Sequence, residues 1–105
     1  MPETKAMDDQ ELRRYFAGRL PDRLAEVERA RDDARDAGWT GDPLRTFHRL
    51  AHSLAGAGAT FGYPEVSDLA RGLERLLKAA LGEGAPLRED EVDGLLARLR
   101  EIAAA

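Results

Sequence analysis

Residues 51–62 read Ala-His-Ser-Leu-Ala-Gly-Ala-Gly-Ala-Thr-Phe-Gly, and both the fold class and the candidate chemistry turn on them. Leading into this stretch, Leu44, Phe47, Ala51, Leu54, Gly58 and Phe61 recur every three or four residues. That spacing puts side chains on one stripe of an α-helix. At about 100° per residue, His52 lies roughly 140° from the centre of the stripe and is predicted to face outward. Ser53, Ala55, Gly56 and Ala59 surround it on the same surface, and all are small. Gly56 and Gly58 fall inside the helix, where each costs about 1 kcal/mol relative to alanine. A helix carries that cost where something must come close to its backbone. An imidazole above a surface pared of side chains can be reached by a bulky partner.

The segment resembles the histidine-containing phosphotransfer (HPt) domain. The motif of that family is histidine, any residue, an aliphatic, usually lysine, then glycine, with a second glycine further on. Here His52, Leu54, Gly56 and Gly62 fall in register. The run through Thr60, Phe61 and Gly62 is similar to the phosphotransfer domain of chemotaxis-type histidine kinases and to HPt modules fused to bacterial response regulators. One position departs: the usual lysine, which in the family helps hold the phosphoryl group, is Ala55. The resemblance implies that His52 accepts a phosphoryl group from a histidine kinase or a receiver phospho-aspartate and passes it to another receiver. It further implies that Glu74, at the family's spacing, accepts a hydrogen bond from the Nδ1 side of the imidazole and leaves Nε2 free to attack.

Composition narrows the alternatives. A chain of 105 residues suffices for one domain spanning 1–105, with about two-thirds of its unfolded surface buried. Hydrophobic residues at 43% and charged residues at 34% fit a globular chain and not a disordered one. A net charge of −4, without any lysine or arginine block, argues against nucleic acid as a partner. The absence of cysteine excludes disulfides, thiol catalysis and zinc–thiolate sites. No apolar run approaches the ~18 residues of a membrane span, and Met1 to Gln10 lacks a signal-peptide core. A cytoplasmic monomer with no membrane partner is expected.

Along the chain, Met1 to Ala6 is expected to be a loose terminus. Asp8 with Glu11 resembles a capping box. Leu12, Tyr15 and Phe16 then form the apolar, inward face of a short helix that Gly18 ends, and Pro21 opens a second helix to about Ala37 with Leu20, Leu24, Val27 and Ala34 inward. Gly38 is the expected C-cap. Asp42-Pro43 reads as an N-cap and first-turn proline before the central helix. Pro64 opens the next helix, with Val66, Leu69, Leu73, Leu76, Leu77 and Ala80 apolar, and Gly82 to Pro86 break it. The last helix starts near Arg88 and carries Val92, Leu95, Leu96, Leu99 and Ile102 inward. No segment combines β-branched residues with period-two alternation. The expected fold is all-α: an antiparallel up-down four-helix bundle with a short additional N-terminal helix.

The bland alternatives stand beside the chemical ones. His52 is either a nucleophile, since a neutral imidazole is nucleophilic and available near neutral pH, or an idle surface histidine. Glu74, at the edge of its helix's apolar face, is either an orienting carboxylate or a boundary residue. His48 and His52 have the spacing of two metal ligands, but Arg49 replaces the glutamate of a metalloprotease helix. His48 is expected to pack beside the core. Arg49, Arg45 and Arg71 are candidates for the cation that Ala55 cannot supply, or are simply solvated. With no phosphate-cradling loop or acidic cluster, the domain has no ATP site and no cofactor of its own, and Mg²⁺ would come with the receiver. The rival expectation is a helical interaction domain that binds a receiver without phosphotransfer, for which Ala55 is the main support.

Overall fold

An aspartate cap starts the first helix, α1 (Asp9–Asp36): Asp8 is extended and its Oδ1 accepts the Glu11 N–H at 2.8 Å. This satisfies one of the orphan donors of the first turn. The structure, a computed structural model, describes residues 7–105, so the expected loose terminus at Met1 to Ala6 lies outside the described residues. α1 corrects the sequence expectation. It does not stop at Gly18 or restart at Pro21; the two predicted segments are one helix of 28 residues, and the separate short N-terminal helix does not exist. The physical reason is an unbroken apolar stripe. Phe16, Leu20, Leu24, Val27, Ala30 and Ala34 are all buried on the same face. In a helix interior glycine costs about 1 kcal/mol and proline about 3, whereas each large apolar side chain buried contributes about 1.5–3 kcal/mol. Burial on both sides of Pro21 outweighs the defect.

Glycine ends α1 as expected. Gly38 takes φ +73°, its N–H donates to the Arg35 carbonyl at 2.9 Å, and the Trp39 N–H donates to the Ala34 carbonyl at 2.7 Å. These are the two bonds of a Schellman motif. Thr40, not Asp42, occupies the N-cap position of the central helix α2 (Gly41–Thr60), without a side-chain capping bond. Asp42 lies in the first turn, where its carboxylate accepts two bonds from Arg45 instead. α2 ends in the same way as α1, with Gly62 at φ +79° and the Tyr63 N–H donating to the Gly58 carbonyl at 2.8 Å. α3 (Pro64–Glu83) has proline in its first turn and Gly84 at φ +62° after its last residue. α4 (Glu89–Ala104) begins with Glu89, Asp90 and Glu91, whose charges favour the positive end of the helix dipole.

The four helices close into a ring: α1 lies against α2 and α4, and α3 lies against the same two. There is no strand among the described residues. Every inward position expected on α3 and α4 is buried or half-buried, with Leu73, Leu77, Val92 and Leu99 fully so. Arg31 ties α1 to α4 by donating to both Asp93 oxygens, from Nε at 3.0 Å and Nη2 at 2.9 Å. At the turn between α2 and α3, Phe16 stacks on Phe61 with centroids 5.4 Å apart, so Phe61 is half-buried and not central to the core. Gly58 sets the approach of α3. A Cβ there would stand 2.9 Å from the Ser67 backbone nitrogen and 3.2 Å from the Tyr63 carbonyl oxygen.

Candidate functional site

The buried pair Ala51 and Leu54 fixes the rotation of α2 and leaves His52 outside, its side chain 75% exposed. On α3, buried Ala70, Leu73 and Leu77 fix the rotation so that Glu74 stands at the seam between the two helices, its side chain 22% exposed. The two meet: His52 Nδ1 is hydrogen-bonded to Glu74 Oε2. An ionised carboxylate can only accept, so the imidazole nitrogen facing it carries the proton. The neutral ring therefore keeps its lone pair on Nε2, the nitrogen turned away from the seam. A half-buried carboxylate holding one nitrogen of an exposed imidazole is the arrangement that a positioned nucleophile would need.

The surroundings separate residues that the sequence alone had grouped. Gly56 has open space where a Cβ would be, with nothing within 4 Å, and Ala59 and Ser53 are exposed. Ala55 is different. It is only 4% exposed and belongs to the core, which corrects its assignment to the small-residue surface around His52. α2 is covered by α1 on one flank and α3 on the other, so its buried arc is wider than a single stripe and takes in Ala55 beside Leu54. Gly58 is likewise a packing glycine, while Gly56 is an open one.

None of the three candidate arginines forms a hydrogen bond or ion pair with His52 or Glu74 among the described residues. Arg45 is held by Asp42, 2.6 Å from its Nη2, on the exposed first turn. Arg49 and Arg71 are exposed and form no ion pair among the described residues. His48 is half-buried as expected, and its Nε2 is buried without a hydrogen-bond partner. Tyr15, expected on an inward face, is 47% exposed and lies 5.9 Å from Phe61, centroid to centroid. Nothing in the periodicity distinguished it from its buried neighbour Phe16, because adjacent positions at the margin of a stripe differ only by what packs over them. Among the described residues no three histidine, aspartate or glutamate side chains converge on a possible metal position. No helix among them is long and apolar enough to cross a membrane.

The described residues form a four-helix bundle that presents an exposed histidine hydrogen-bonded to a carboxylate of the next helix. The particular family follows from comparison. The Hpt domain model matches residues 11–105, nearly the whole chain, and the protein belongs to that family. Membership implies histidine phosphotransfer in two-component signalling. Comparisons with curated proteins and with solved structures gave no match.

Proposed function

We propose that this domain carries a phosphoryl group on His52, taking it from a histidine kinase or a receiver phospho-aspartate and handing it to another receiver domain. The observation that carries this reading is the contact of Glu74 with His52 Nδ1 on a side chain that is 75% exposed; with the proton on Nδ1, the Nε2 lone pair is free to react. In the transfer, the Nε2 lone pair attacks phosphorus, a P–N bond forms, and the P–O bond to the receiver aspartate breaks with its electron pair leaving on the carboxylate. The ring keeps its Nδ1 proton and becomes cationic, and Glu74 offsets that charge. Handing the group on reverses these steps. The receiver supplies Mg²⁺ and the acidic pocket, and in-line positioning does most of the remaining work.

The receiver docks on the first half of α2 and the adjoining part of α1, and Gly56 and Ala59 admit its loops. The bundle is antiparallel up-down, supported by Trp39 near Phe47 at one end of the α1–α2 pair and Phe16 near Phe61 at the other. It acts as a cytoplasmic monomer. A second reading, an interaction domain without chemistry, draws on Ala55: the position is filled by a buried methyl, so no cation stands there. Incubation with a phosphorylated receiver and Mg²⁺ separates the two. Transfer of the phosphoryl group to this chain supports the carrier; receiver binding without transfer supports the scaffold.

A further inference from the structure

On the side of α3 away from His52, an open groove of about 740 Å³ runs between α3 and α4 and under the loop that joins them. Its floor is apolar, made by half-buried Leu76 and Leu95 with Ala79, Ala85 and Pro86. Glycines deepen it. Gly94 has nothing within 4 Å of a Cβ position, and a Cβ at Gly72 would meet only the Leu95 methyls and the Arg75 guanidinium, at 3.6–3.9 Å. The rim is cationic in a chain whose net charge is −4. Arg75 stands on the α3 wall and Arg98 on the α4 wall, both exposed and both without an ion-pair partner among the described residues. Arg88, also on the rim, is paired with Glu91 at 3.2 Å.

We infer that this groove docks an amphipathic helix of a partner protein whose apolar stripe is flanked by carboxylates. The floor spans Gly72 to Ala79 on one wall, two turns, which accommodates anchors at i, i+3 or i+4, and i+7. The stretch between the two helices is open to solvent, which suits a helix laid in from the side. The two unpaired guanidinium groups stand on opposite walls of the groove, where carboxylates flanking the stripe on either side would meet them. Because Glu74 faces α2 while the groove faces α4, the site holds a partner without covering His52. It therefore serves as a tether, separate from phosphoryl transfer and independent of it.

The probe is a synthetic helical peptide of roughly 15 residues, long enough to be partly helical alone, with a leucine stripe flanked by glutamates. A twin peptide carries lysine in place of every glutamate. NMR of the ¹⁵N-labelled domain should report shifts of the Gly72, Gly94 and Leu95 amides with the acidic peptide and at least about tenfold weaker binding of the twin. Arg75→Glu with Arg98→Glu should reverse that preference, and Gly94→Leu, which fills open space, should abolish binding while circular dichroism stays helical. Equal affinity for both peptides, shifts elsewhere, or no binding of the acidic peptide overturns the proposal. So does tighter binding of dodecyl phosphate, which would make the groove an amphiphile site. Self-association that Gly94→Leu abolishes would make the occupant a second copy of this chain, and would overturn it equally.

Discussion

In the proposed carrier, the contact between His52 Nδ1 and Glu74 sets which ring nitrogen reacts. Replacing Glu74 with glutamine keeps the size and an acceptor oxygen but removes the charge. The Nδ1–H tautomer should lose population, and transfer should slow by about tenfold rather than stop, because Mg²⁺ and in-line geometry come from the receiver. Long-range ¹H–¹⁵N correlations of the ring nitrogens read the tautomer directly; unchanged populations would mean that the contact does not orient the ring. His52→Gln should abolish labelling with a stability change within about 0.5 kcal/mol, since an exposed side chain contributes little packing, and urea denaturation measures it. His52, Gly56 and Gly62 were legible in the sequence because a motif is local. The burial of Ala55 was not, because it depends on two helices flanking α2, and one stripe's periodicity cannot report a second neighbour.

At the level of the helices, two glycines two positions apart, Gly56 and Gly58, have opposite roles. Gly58→Ala should destabilise the domain by about 1–3 kcal/mol, because its Cβ would press on the backbone of α3 and neither helix can yield cheaply. Gly56→Leu should leave stability equal or raised by about 0.5–1 kcal/mol, yet slow phosphotransfer strongly by blocking the receiver's approach. Thermal unfolding together with a transfer assay distinguishes them. A normal transfer rate in Gly56→Leu would remove the access role of that glycine. Pro21 tests the continuity of α1. Inside a helix, Pro21→Ala restores a backbone donor toward the Ala17 carbonyl and should stabilise by about 1–2 kcal/mol in urea titrations. A destabilisation would instead favour the first-turn proline that local rules expect. Those rules failed here because glycine and proline mark breaks only where burial does not override them, and the stripe from Phe16 to Leu24 runs straight through both.

For the whole molecule, the bundle was readable because each helix carries one apolar face and the connections between them are short. The inward residues of α3 and α4 followed from period alone. The groove between those helices did not, since it arises where Gly72 and Gly94 leave space on two elements distant in sequence. Nor could the sequence separate a carrier from a scaffold at Ala55. The chemistry of the label decides that. After transfer from a phosphorylated receiver in the presence of Mg²⁺, the phosphorus should be bonded to Nε2 of His52, seen as a ³¹P-coupled ring nitrogen in the ¹⁵N-histidine-labelled protein, and should be lost in acid but retained in base. Phosphorus on Nδ1, on His48, or in an acid-stable linkage would contradict the account.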